Sequence, residues 1–448
     1  MADNLLDKAS ILLTPTAYDN GSMLSIKPEN GDGDFTFSRN SAATRVNAQG
    51  LVENVQIISS ELVSNGDFSN GSANWSLGTG WSIGEYKAVA TDVNSTFLDQ
   101  LNILTIGKLY KITYTIQDYV SGTVRFRANL VNGSTNFANG TYTDYIVSGG
   151  TKFSLQGLNN FNGSITNVSV KEITDDTNIP RIDYTDGCGS WLLEPQSTNL
   201  YLNSETLSTQ SNATSASTYT VSFYGTGTIT FSGTHTGTLV GTGVNDRVSA
   251  TFTATAGTLT STVTGTVTKG QLEEQSYATS YIPTNGASST RLQDIANNSG
   301  NASLINSTEG TLYASIAALT DDGSNRNVSL SKDALNRVNI FYRNGSNRIR
   351  FVVRINSVNL FDATITLSDI INYNKVALSF KENEFKAYVN GVKEAEQLSG
   401  SIFPADTLDR LGFNQNNGGS LPFYGKVKAV AVYKEALTDA ELQSLTTI

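Results

Sequence analysis

With 448 residues, a formal charge of −10, one cysteine and one histidine, the chain is too long for a single hydrophobic core and leaves room for about three or four domains. The negative charge opposes binding to a nucleic-acid backbone. Cys188 alone excludes an intrachain disulfide and a cysteine-based zinc cage, and His235 alone removes most chemistry that depends on imidazole.

Thr, Ser, Asn and Gly are abundant, proline is scarce at 7 and aromatics reach 9%, a composition for short strands and turns rather than helices. Met1 to Lys8 lacks the basic stretch and apolar run of a signal peptide, and no window approaches the length of a membrane span. Folding in a cytoplasm without membrane insertion is therefore expected, and sequons such as Asn132-Gly133-Ser134 read as compositional.

Residues 1–34 read as an extended arm, with a short apolar run at Ile11-Leu12-Leu13 and turn-forming Asn20-Gly21 and Asn30-Gly31-Asp32-Gly33-Asp34. The alternating Asp and Gly offer hard oxygens of the kind calcium takes, but no Glu follows at loop-closing distance, so a plain turn is expected.

Two longer runs organise the chain beyond the arm. The first carries Ser38-Arg39-Asn40-Ser41-Ala42-Ala43-Thr44-Arg45-Val46 and Gly50-Leu51-Val52-Glu53; the second carries Pro180-Arg181-Ile182-Asp183-Tyr184 and Leu192-Leu193-Glu194-Pro195-Gln196-Ser197-Thr198-Asn199-Leu200. Together they resemble the signature of the head-spike-fibre domain of tailed-phage virion proteins, over about a sixth of the chain. Arg39, Arg45, Asp183 and Glu194 bracket the two halves with opposite charges inside otherwise apolar runs, so a paired, partly buried cluster joining the halves is expected.

Between the halves, Asn65-Gly66-Asp67-Phe68, Trp75, Trp81 and Tyr86 resemble the opening of jelly-roll carbohydrate-binding modules. Alternating strands come next at 110–116, 124–130, 152–155 and 165–171, with the period of two of an antiparallel sandwich. A sandwich whose termini meet can be inserted into a host domain, which accounts for the split signature. Residues 1–54 are thus an arm and the first half of the spike-fibre module, 55–179 an inserted jelly roll, and 180–205 the second half.

Residues 206–295 form a Thr/Ser/Gly tract with steady β-branched alternation, expected as a small, weakly cored sandwich. It ends in Tyr277-Ala278-Thr279-Ser280-Tyr281-Ile282-Pro283-Thr284, similar to an exit run in the same phage proteins. Residues 296–448 carry Val338 to Tyr342 and Arg348 to Val353 around Arg343-Asn344-Gly345-Ser346-Asn347, a hairpin signal. Further strands at 375–380, 384–389 and 425–433 make this part resemble laminin-G/concanavalin-like lectin domains. Thr438 before Asp439 and Glu441 predicts the N-cap of a short terminal helix.

Sugar rings stack on aromatic faces and their hydroxyls pair with amides and carboxylates. The candidate glycan contacts are Trp75, Trp81, Tyr86, Asn414 and Asn416, with Asn417 beside them; for each Trp the competing reading is a core residue. Asp67, Asp321 and Asp322 are candidate ligands of a structural calcium, with turn chemistry as the alternative; no other cofactor is expected. Glycoside hydrolysis needs two facing carboxylates. Glu382 and Glu384 share a strand face, but their surroundings read as a hairpin tip, and no catalytic residue is expected.

The sequence thus reads as an all-β, multi-domain, non-enzymatic protein. The resemblances imply a virion head or tail fibre or spike that displays glycan-binding sandwiches. Its implied partners are copies of itself, as in related homotrimers, other capsid or tail proteins, and glycans of the host surface or its surroundings. A capsid decoration protein without glycan binding and a capsule depolymerase are the alternatives.

Overall fold

The computed structural model describes residues 3–416 and 420–448. It is nearly all β and divides into two compact units, one made of Met1–Val55 with Thr177–Ile448, the other of Gln56–Asp176.

The larger unit is built on a two-sheet sandwich. One sheet has the strand order Ile182–Asp183, Ser190–Leu193, Gly425–Tyr433, Glu309–Ala318, Asn374–Lys381, Glu384–Val389, Val392–Gln397, and Ala9–Leu13 also pairs with Gly425–Tyr433. The other runs Val358–Thr366, Arg348–Ile355, Arg337–Tyr342, Arg326–Ser331, Arg410–Gly412. The alternation in Arg348–Ile355 explains its placement: Ile349, Phe351, Val353 and Ile355 point into the core, while Arg348 is exposed and Arg350 and Arg354 are half-buried. The hairpin expected at 343–347 forms, with Gly345 and Asn347 both at positive φ.

The two signature halves differ from the separate module expected. Their apolar residues are too few to bury a core of their own, and they enter the sandwich instead. Trp191 and Leu193, with Ile11 and Leu13 of the arm, lie in the same core as Leu312, Phe351 and Val432. The arm is not wholly extended either, since Asp3–Lys8 forms one short helix.

Residues 210–273 form a second, smaller sandwich in this unit. One of its sheets joins Gln210–Thr214, Gly257–Thr264, Thr228–Gly233 and Gly237–Val240; the other joins Gly243–Thr253, Thr218–Gly225 and Val267–Glu273. Its core is Tyr219, Val221, Phe223, Ile229, Phe231, Leu259 and a few neighbours. The chain closes on a helix, Asp439–Thr446, whose N-cap is Thr438 in a reciprocal capping box with Glu441.

The unit Gln56–Asp176 is a single nine-stranded assembly organised by two long antiparallel strands, Leu109–Ala128 and Phe153–Asp175. Phe68, Trp75, Trp81, Phe126, Phe153 and Phe161 fill its core. Its first strand, Ile57–Ile58, pairs with the end of its last, with Ile173 opposite Ile58 and Asp175 opposite Ile57.

Candidate functional site

A buried ionic cluster fixes the two signature halves against each other. Arg39 donates to Asp294 at 3.1 Å and to the Ile179 carbonyl at 3.0 Å, and Arg181 donates to Glu194 at 2.6 Å and also to Asp294. Arg291 reaches the same Glu194 oxygen at 2.9 Å. Ser280 adds its backbone N–H and hydroxyl to Glu194 at 2.8 and 2.7 Å, and the Glu194 N–H donates to Asp294. All five charged side chains are buried.

Three cations face two carboxylates. Burial pushes the Glu194 carboxyl up, yet Arg291 and Arg181 outweigh it and hold the group at about 2. Burial lowers Arg39 to about 10, with Asp294 opposing that shift and Arg181 adding to it.

Arg39 and Glu194, two of the residues expected in this cluster, lie in it. Arg45 and Asp183 do not pair within it. Arg45 sits at the rim, bound to Glu53 at 2.9 Å and Tyr18 at 3.2 Å, and Asp183 accepts the backbone N–H groups of Val46 and Thr185 at 2.9 Å each. The partners that sequence reasoning missed are Arg181, Arg291 and Asp294. Arg181 stands inside the quoted Pro180-Arg181-Ile182-Asp183-Tyr184 run, a signal that was present. Arg291 and Asp294 lie about a hundred residues further on, where no local pattern points back to the signature.

The cluster forms part of the wall of a cavity of 490 Å³ in the larger unit, within the size range of small-ligand sites. The signature supplies Thr44, Arg45, Asp183, Asp186 and Glu194; the small sandwich supplies Tyr224 and Arg247; the exit run supplies Tyr277, Ser280 and Tyr281. The large sandwich closes the cavity with Ile371, Asn372, Tyr373, Lys426 and Lys428. Four tyrosines therefore line one space, and burial pushes Tyr373 up to about 12. They stay protonated near neutrality and can donate as well as accept.

The strand Gly425–Tyr433 places the two lysines. Val427 pairs with Trp191 and Val430 with Leu13, so the partner on that side changes between them. On the other side a register shift sets Val427 opposite Ile316 but Ala429 opposite Ser315, leaving Lys428 as the extra residue of a bulge. Its Nζ lies 4.1 Å from the centroid of the Tyr373 ring, while Lys426 binds Asp186 at 2.6 Å.

The expected glycan contacts lie elsewhere. Trp75 and Trp81 are 7% and 6% exposed and belong to the core of the 56–176 unit, Trp75 tilted against Phe68 with a centroid separation of 5.2 Å. Of the two readings open for these residues the core one holds, and they are not sugar platforms, because their large rings fill the interior of this unit. Tyr86 is 71% exposed at the tip of the Trp81–Gly84 and Lys87–Val93 hairpin. Asn414 and Asn416 are 4% and 9% exposed, a burial that turns them inward from any surface glycan, and Asn417 lies outside the described residues.

The carboxylates considered for calcium have protein donors. Asp67 accepts from the Ser69 N–H and hydroxyl, Asp321 from Ser346 and Asn347, and Asp322 from Ser324, Arg326 and Ser276. Among the described residues no group of three carboxylate, histidine or cysteine side chains is placed to hold a metal ion. Glu382 lies at an exposed hairpin tip, and Glu384 is held ionised by Lys386 at 2.6 Å and Lys381 at 2.9 Å.

No curated protein matches the chain. Solved structures similar to part of it include a leech intramolecular trans-sialidase complexed with 2,7-anhydro-Neu5Ac, at 22% identity over 32% of this chain with a TM-score of 0.27; the match spans 23% of that enzyme. They also include the CBM40 module of the Ruminococcus gnavus IT-sialidase bound to α2,3-sialyllactose, at 19% identity over 32% of this chain and 84% of that one, TM-score 0.28. Domain 4 of an extracellular arabinanase from Geobacillus stearothermophilus in complex with arabinotriose matches at 14% identity over 39% and 84%, TM-score 0.30. Residues 293–443, about a third of the chain, match the family model of the concanavalin A-like lectin/glucanases superfamily, and this stretch holds most of the larger sandwich.

Proposed function

We propose that this chain is a non-catalytic virion protein of a tailed phage, a head or tail fibre or spike, that binds glycans through its β-sandwiches. One observation carries the glycan part. The concanavalin-like sandwich, with the signature strands built into it, opens on a tyrosine-lined cavity with convergent hydroxyls, carboxylates and amines, the mixture of ring faces and polar groups that a sugar requires. The virion part rests on the split signature, whose Arg39, Arg181 and Glu194 meet in one buried cluster. Individual contacts of this kind are weak, and display of many copies, as in a homotrimer on a particle, turns them into adhesion.

The test is a glycan array probed with the purified full chain, joined to a cryo-EM map of the particle. Glycan binding without product release, and density for the chain on a head or tail fibre, are expected. Presence on the capsid with no glycan bound would replace this reading with that of a decoration protein. Release of reducing ends from host capsule would replace it with a depolymerase.

A further inference from the structure

Resting on that glycan reading, we propose that the cavity selects acidic saccharides, taking a sugar ring that carries a carboxylate against Arg247 and Lys428. The charges of the cavity wall do not cancel. Arg45 is matched by Glu53 and Lys426 by Asp186. Asp183 is matched by no cation among the described residues, but its oxygens accept two backbone N–H groups. Glu194, which faces the cavity, belongs to a cluster in which three arginines outnumber two carboxylates.

Two lining cations have no carboxylate partner among the described residues. Arg247 donates to the Ser222 hydroxyl at 2.8 Å, and its Nε is buried without a hydrogen-bond partner there. Lys428 stands over the Tyr373 ring instead of an acidic group. The sum at the cavity is positive in a chain whose net charge is −10, so the site concentrates positive charge against the trend of the whole molecule.

A planar guanidinium whose hydrogen bond goes to a neutral hydroxyl suits a carboxylate, which would give it a charged partner. Tyr224, Tyr277 and Tyr281 line the same cavity, and aromatic side chains of this kind pack against pyranose rings. Neutral sugars satisfy the ring faces and leave both cations unmatched.

The experiment is calorimetric titration of the full chain with galacturonate, glucuronate and mannuronate trisaccharides, each beside its counterpart reduced to the neutral hexose. Binding of at least one acidic trisaccharide about tenfold tighter than its neutral counterpart is expected, weakening as salt rises. Arg247→Gln and Lys428→Gln should each reduce acidic binding about fivefold or more while neutral binding is unchanged, and Lys332→Gln on the opposite sheet's loop should change nothing.

Equal binding of acidic and neutral sugars would overturn the charge selection and leave the glycan reading standing. Failure of all trisaccharides would overturn the inference, and only an array equally blank would take the glycan reading with it. Displacement of the sugar by an equal concentration of inorganic phosphate would also overturn it, marking a site for free anions. If a variant melts lower than the parent, the salt dependence of the parent chain decides: binding indifferent to salt sinks the proposal.

Discussion

Arg181 is the side chain on which the buried cluster turns, because within it this arginine alone binds both carboxylates. Replacing it with methionine removes the hydrogen bonds to both carboxylates, while Arg39 still faces Asp294 and Arg291 still faces Glu194. A loss of about 1–3 kcal/mol is expected in urea unfolding. Arg45→Ala is the contrasting case, since its pair with Glu53 is partly solvated, and a loss below about 1 kcal/mol is expected in the same measurement.

Glu194 is the buried carboxylate of this cluster whose titration ties stability to pH. Its carboxyl is held at about 2, below the ordinary 4.5, so the unfolded chain binds the proton more readily. The stabilisation is fully present above pH 4.5 and is lost as pH falls toward 2. Unfolding midpoints measured from about pH 6 to about pH 2.5 should fall steeply below the ordinary carboxyl value in the parent chain and more shallowly in Glu194→Gln. Parallel curves would show that other carboxylates govern acid unfolding.

At the scale of the element, the hairpin at residues 81–93 turns on Glu85 and Tyr86, both at positive φ, at 52° and 60°. Such two-residue turns ordinarily use Asn-Gly, because a side chain with a bulky Cβ substituent resists the left-handed region. An exposed tyrosine held there costs stability with no packing in return. The double change Glu85→Asn and Tyr86→Gly should raise the stability of the 56–176 unit by about 1–2 kcal/mol, read as a higher melting temperature. A reduced glycan affinity in the same variant would give the strained tyrosine a contact role.

Much at this scale was legible from the residues alone. Alternation in Arg348–Ile355 and the Asn-Gly signal beside it gave strand and hairpin, and Thr438 with Glu441 gave a helix start, because these depend on neighbours in sequence. Burial of the tryptophans was not decided by sequence, since the same residue type serves a core or a surface and only the sheet's curvature selects between them. The bulge at Lys428 was hidden for a related reason: it arises where one neighbouring strand gives way to another, and those neighbours come from residues 9–13 and 190–193.

At the scale of the whole molecule, the cavity was out of reach of a linear reading. Its wall draws on residues 44–52, 183–194, 224–281, 318–319, 371–373 and 426–428, and no local spacing rule joins segments that far apart. What the sequence did carry was the interruption between residues 54 and 180, visible because two halves of one pattern stood on either side of it. Several strands also paired across the segment boundaries drawn from the sequence, Ala9–Leu13 and Ser190–Leu193 with Gly425–Tyr433 and Ser197–Asn199 with Ser289–Arg291, since a short run of apolar residues joins whichever core will bury it.

The division into two units has a direct test. Replacing residues 56–176 with a short Gly-Ser linker should leave the remaining chain folded, with the thermal transition assigned to the larger unit unchanged within about 2 °C. Loss of folding would show that the two units stabilise each other.

The paired ends of that unit also bear on how it can be inherited. Ile57 and Asp175 are cross-strand partners, roughly 5 Å apart, so the span between them begins and finishes at nearly the same point in space. A gene segment encoding it can be gained, lost or traded by recombination as one cassette, because the arginine cluster and the tyrosine cavity draw all their residues from outside its borders. Lineages carrying this scaffold are then free to differ in the 56–176 segment while keeping the rest of the chain in register.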